Sequence, residues 1–283
     1  MDNFRLMQFY ALLKREVLEH TTLFIFAPLI LATILLLIMI WGLNLLPGEE
    51  VAIGIEYLAI LFDGLSPTEM APVFMGLAVP FLIVLAICTL VYLLSTLYQD
   101  RKDASVLFWH SMPVSNLQTV LSKVFAIVAV APAFYMAILF ALYLVMVVWL
   151  SILGASYDVQ VAGLGYMFMA AVTSLMLVYL SAVVAGLWLL PTMGWLMLFS
   201  SYASRAPAMW GLGVFFALLF LEEFLFSSQF LANWVESRSN PAQYIILSFS
   251  DVLDRLFNYD MLFGIMVGSI LLSGAVIMRR YTD

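Results

Sequence analysis

A chain of 283 residues that is 65% hydrophobic and only 10% charged departs far from a soluble domain, which carries about 25% charged residues. Asp, Glu, Lys and Arg are missing altogether from six runs, 20–48, 70–99, 124–157, 159–204, 206–221 and 261–278. A membrane crossing needs about 20 mostly apolar residues. This excludes a soluble enzyme, a nucleic-acid-binding module and a disordered chain. It also excludes an outer-membrane barrel, whose strands alternate apolar and polar residues in segments of about 10. What remains is an all-α polytopic membrane protein, because helices satisfy their own backbone hydrogen bonds in lipid. The whole chain, 1–283, reads as a single transmembrane domain. One cysteine, Cys88, leaves no internal disulfide and no cysteine-based metal cluster.

The chain opens with an amphipathic segment, 3–19, expected to lie on the membrane surface. Phe4, Met7, Ala11 and Leu12 recur at helical spacing, while Arg5, Lys14, Arg15 and Glu16 stay polar. The first span covers about 22–46 and is too long for a signal-peptide core, so it reads as a retained span. Pro47-Gly48 ends it. The stretch 49–69 holds five acids and no Lys or Arg. Within it Ser66-Pro67-Thr68-Glu69 is a helix start, with a capping Ser, a Pro at the first helical position and a Glu three residues after the cap. The second span is about 73–98, with Pro72 and Pro80 expected to kink its outer end.

The third span covers about 124–153. The charge-free run 159–204 has 46 residues and would be about 69 Å long as one helix. It is either one kinked span, 164–204, or two spans near 164–188 and 190–201, with Pro191 and Gly194 as breaks. Lys and Arg favour the cytoplasmic face. Six spans place nine basic residues inside and two, Arg238 and Arg255, outside; seven spans give six against five. Six is the better count, with both termini cytoplasmic. The fifth span is about 208–226. An outer segment, 227–260, follows. Asn240-Pro241-Ala242-Gln243 starts a helix there, and Phe249, Val252, Leu253 and Leu256 form one face of another. The sixth span is about 261–278.

The loop 99–116 is the most polar stretch between spans. It begins with four consecutive charges, Asp100, Arg101, Lys102 and Asp103, then turns apolar and aromatic through Leu107, Phe108 and Trp109 to Met112-Pro113. Ser115 and Gln118 form a capping box leading into span three. A helix with charge at one end and aromatic anchors at the other has the ingredients of a protein–protein contact. The plainer alternative is an interfacial helix that snorkels its charges and places its Trp among lipid headgroups.

Tyr98-x-Asp-Arg-Lys-Asp-x-Ser-x-Leu-Phe-Trp-x-Ser-Met-Pro-Val-Ser resembles the segment of type-2 ABC-transporter permeases that carries their coupling helix. Gly194-Trp195-Leu196, followed by Ser200-Ser201-Tyr202-Ala203-Ser204-Arg205-Ala206-Pro207, is similar to that family's end of span four and the turn after it. The order of features also matches: surface helix, six spans, coupling segment between spans two and three, and an outer re-entrant region between spans five and six. The resemblance implies the permease subunit of a bacterial ABC transporter in the inner membrane, of exporter type. ATP and Mg would bind a separate ATP-binding subunit. The working transporter would pair the chain with a second copy of itself or a related permease. Its ATPase-facing residues would be Asp100, Arg101, Lys102, Asp103, Leu107, Phe108, Trp109 and Met112. The chain itself has no Gly-x-x-x-x-Gly-Lys-Ser/Thr loop.

Glu222 and Glu223 stand near the outer end of span five. A central acid costs roughly 2.5–3.5 kcal/mol on insertion scales. One reading makes them a pathway or re-entrant site, the basis of an alternative function as an ion-coupled transporter or channel. The other lets the span end early, so that both acids meet water. His20 and His110 have no second His or Cys nearby, so no metal site is expected, and no catalytic set is placed for hydrolysis.

Overall fold

The computed structural model describes residues 2–102, 114–203 and 205–281. Every regular element among these residues is helical, and six helices are long and apolar enough to cross a membrane.

Helix α1 (Asp2–Glu19) occupies the segment expected to be amphipathic. Its Leu12 and Glu16 are buried, while Leu6, Met7 and Tyr10 are exposed. The chain passes through a π-helical turn, Thr22–Phe26, into α2 (Ala27–Leu45). The acidic stretch that follows holds a helix absent from the sequence reading, α3 (Gly48–Phe62). Pro47 precedes it, Glu49 and Glu50 favour the positive end of its dipole, and Val51, Ile55 and Phe62 supply a buried face at helical spacing. Gly64, at φ +70°, makes the turn into the next helix in a conformation other residues rarely adopt.

Helix α4 (Pro67–Lys102) runs 36 residues, about 54 Å. The expected start is present: the backbone N–H of Ser66 donates to Glu69 Oε2 at 2.8 Å. Span two was expected to stop near residue 98, but the helix carries on into the charged stretch. Helix α5 (Asn116–Phe125) opens with the predicted capping box. Ser115 Oγ accepts from the Gln118 amide at 3.2 Å, and Gln118 Oε1 accepts from the Ser115 amide at 3.1 Å. A π-helical turn, Ala126–Val130, joins it to α6 (Ala131–Ser156), so span three begins eight residues earlier than expected.

The long charge-free run forms α7 (Leu164–Trp188) and α8 (Leu190–Tyr202), interrupted at Leu189. The two continue in one direction. Tyr143 Oη donates to Phe74 O of α4 and lies 3.4 Å from Ser174 Oγ of α7. Further on, Ser200 Oγ of α8 accepts from the Tyr98 amide of α4. Thus α4 advances 24 residues while α7 and α8 together advance 26, which leaves no room for a reversal at Leu189.

Helix α9 (Pro207–Phe226) begins after Ala206 and ends before Ser227, both with φ +48°. Helix α10 (Phe230–Ser239), a single 3-10 turn (Pro241–Gln243) and α11 (Asp251–Leu256) connect it to α12 (Tyr259–Tyr281). Asn240 caps as expected, its Oδ1 accepting from the Ala242 amide, but the helix it starts is only one turn. The main core gathers Phe24, Phe81, Tyr92, Tyr135, Leu139, Tyr143 and Met167. A second core joins Trp188 and Leu177 to Ile246 and Met261.

Candidate functional site at the charged end

The bundle buries a set of opposite charges where α1, α4, α5 and α12 meet. Glu16 of α1 and Lys123 of α5 are each 1% exposed, with Lys123 Nζ 2.8 Å from Glu16 Oε1. Tyr92 Oη donates to Glu16 Oε2 at 2.6 Å, and Lys123 Nζ donates to Thr96 Oγ1 at 2.7 Å. Tyr92 and Thr96 lie four residues apart on α4, so they share the face turned toward α1 and α5.

One turn further along α4, Asp100 joins the same set. Its carboxylate lies 3.5 Å from Lys123 Nζ, 3.4 Å from Arg279 Nη1 of α12 and 3.7 Å from Arg15 Nη2 of α1. Arg15 also donates from Nε to Glu19 Oε1 at 2.5 Å. Among the described residues the set holds three cations, Arg15, Lys123 and Arg279, against three anions, Glu16, Glu19 and Asp100. Balance of this kind is what permits burial, since an unpaired charge in a low-dielectric interior costs several kcal/mol.

Burial raises the Glu16 pKa, but Lys123 beside it, the Lys123 and Tyr92 hydrogen bonds and His20 bring it below the usual carboxylate value. His20 packs edge-on against the Tyr92 ring at 4.9 Å. Burial draws its pKa down, and Glu16 only partly opposes this. Glu16, Glu19 and His20 bring three potential metal-ligating atoms within 4.8 Å of one another. Sequence reading looked only for His and Cys partners and missed this grouping. Its carboxylates are already engaged, Glu16 by Lys123 and Tyr92 and Glu19 by Arg15.

Of the residues expected to face a partner, Asp100 is 7% exposed and turned inward, and Lys102 is exposed. Arg101 lies in the last turn of α4. Asp103, Leu107, Phe108, Trp109, His110 and Met112 lie outside the described residues. The second resembling motif ties helices together. Trp195 Nε1 donates to Gly211 O of α9 at 3.1 Å, Ser200 Oγ donates to Leu94 O of α4 at 3.0 Å, and Gly194 abuts α12.

Glu222 is half-buried, and its carboxylate caps α10. Oε1 accepts from the Phe230 amide at 2.7 Å and from Ser228 Oγ at 3.0 Å; Oε2 accepts from the Leu231 amide at 3.0 Å. Helix α9 continues past both acids to Phe226, and Glu223 is exposed. At the far end, a shallow cavity of about 410 Å³, lined by Phe62, Asp63, Met70, Gln160 and Tyr166 among others, is separate from the charged set.

Glu16, Tyr92, Thr96, Lys123 and Arg279 were not singled out from sequence as a set. A signal existed: Glu16 falls four residues after Leu12 on the packed face of α1, and Asp100 and Lys123 flank the ends of charge-free runs. Comparison with protein-family models, curated proteins and solved structures finds no match.

Proposed function

We propose that the chain is the permease subunit of a bacterial ABC transporter of exporter type, working with a separate ATP-binding subunit. The observation that carries this reading is the anchoring of Asp100. The residue at the root of the segment resembling a coupling helix is bound by charge to α1, α5 and α12. A push on that segment would reach four helices together, which a lipid-anchoring surface helix has no need to do. ATP and Mg would sit on the partner. The charged end would face the cytoplasm, in keeping with the nine-to-two distribution of basic residues. A second copy or a related permease would complete the transporter.

The test is co-expression with the proteins encoded by neighbouring genes, followed by purification and assay of any complex for ATPase activity. Replacing Phe108 and Trp109 together with Ala is expected to abolish co-purification and ATP-dependent transport. Unchanged association overturns the reading. Transport driven by a proton gradient without an ATPase would favour the ion-coupled alternative. Capping of α10 by Glu222 weighs against that alternative, because it occupies both oxygens of the carboxylate.

A further inference from the structure

Helix α10 is fastened to the bundle through one buried side chain. Phe230 is 68% exposed, and Asn233, Glu236, Ser237 and Ser239 also face outward. Arg238, in contrast, is 3% exposed. Its Nη1 donates to the backbone oxygen of Trp188 at 2.7 Å, and its Nη2 donates to Asp260 O. Trp188 returns the bond, its indole N–H donating to Arg238 O at 3.1 Å. The guanidinium carbon lies 4.6 Å from the centre of the Trp188 ring and 4.7 Å from that of Trp234. Trp234 in turn meets the Phe263 ring edge-on at 6.0 Å. Below them Gly264 leaves the space the guanidinium fills; a Cβ there would collide with it.

The position of this contact matters. Trp188 is the last residue of α7, at the interruption of span four. Helix C-termini carry unsatisfied carbonyls and partial negative charge, which a cation relieves. Two indole faces and two carbonyls suit a flat, weakly hydrated guanidinium better than a compact ammonium. The other end of α10 is held by the Glu222 carboxylate on its first amides.

We propose that α10 is a strap latched by Arg238: its guanidinium, seated in a cage at the break in span four, holds the strap closed, and withdrawing it frees α10 as a unit while the bundle stays folded. The cage is then a binding site for guanidinium compounds, filled in the resting protein by the chain's own arginine. This inference stands apart from the transporter reading.

The experiment is limited proteolysis of the purified chain carrying Arg238→Ala. Cleavage within 227–250 is expected to quicken at least about tenfold, as two hydrogen bonds and two ring contacts are lost, with cleavage elsewhere unchanged. Millimolar methylguanidinium should restore protection, and methylammonium should not. Unchanged cleavage, or equal restoration by both ions, overturns the proposal. Should Arg238→Ala fail to fold, hydrogen exchange on the unsubstituted chain decides the matter. The amides of 231–239 should open together and well before those of 261–278, and equal protection of the two segments overturns the latch.

Discussion

Lys123 touches two acids of the charge set, Glu16 and Asp100, and its removal has a calculable consequence. Lys123→Met leaves Glu16 buried without the lysine that pairs with it and removes one described cation from Asp100. Breaking a buried pair from one side costs about 3–5 kcal/mol, so a large fall in melting temperature or folded yield is expected. Adding Glu16→Gln should recover much of that loss, because no carboxylate then remains to be neutralised there; losses that simply add would show the two residues are not coupled. Acid should loosen the same region. The Glu16 pKa is lower in the folded chain, so its stabilisation is full above the ordinary carboxylate value and disappears as pH falls through the folded value. His20 is also shifted down, so the unfolded chain takes up its proton first and stability drops as pH falls below about 6.5. Melting temperature should therefore decline from pH 7 to pH 5, and His20→Gln should flatten the upper part of that decline. An unaltered slope would remove His20 from the account.

Among the elements, α8 and α12 approach closely through glycines. A Cβ on Gly268 would come within 2.8 Å of the Leu190 carbonyl carbon, and one on Gly194 within 2.9 Å of Gly268 O. Backbone cannot yield as a flexible side chain can, so Gly268→Val is expected to destabilise the chain by about 1–3 kcal/mol, read as a lowered melting temperature in detergent. A melting temperature equal to that of the unsubstituted chain would mean that the helices part without cost. These glycines could be seen in the sequence, but which helices they allow to meet could not. Capping signals were easier, since they act over three residues: Ser115–Gln118 forms as read, and at Ser66 the Glu69 carboxylate accepts from the Ser66 amide while the Ser66 hydroxyl also donates to it. Helix α3 was hidden by its acids. Val51, Ile55 and Phe62 already mark a helical stripe, but five acids without a basic residue made 49–69 look like a polar connection.

At the scale of the molecule, six helices among the described residues are long and apolar enough to cross a membrane, and the parallel advance of α4 with α7 and α8 explains how a 46-residue run supplies only one of them. Single members of the charge set left a signal in the sequence, but their pairing did not, because it is assembled across great distances in the chain. Glu16 meets Tyr92 from 76 residues away, and Lys123 reaches Thr96 across 27. Sequence reading used Lys123 and Arg279 as markers of orientation, and Arg15 for that and for the polar face of the first helix; neither property reveals pairing. Among the described residues, Glu16, Glu19 and Asp100 are met by Arg15 early in the chain, by Lys123 near its middle and by Arg279 in its last helix. A chain cut before α12 loses the Arg279 contact to Asp100, and is therefore expected to be degraded faster in the membrane than the full chain.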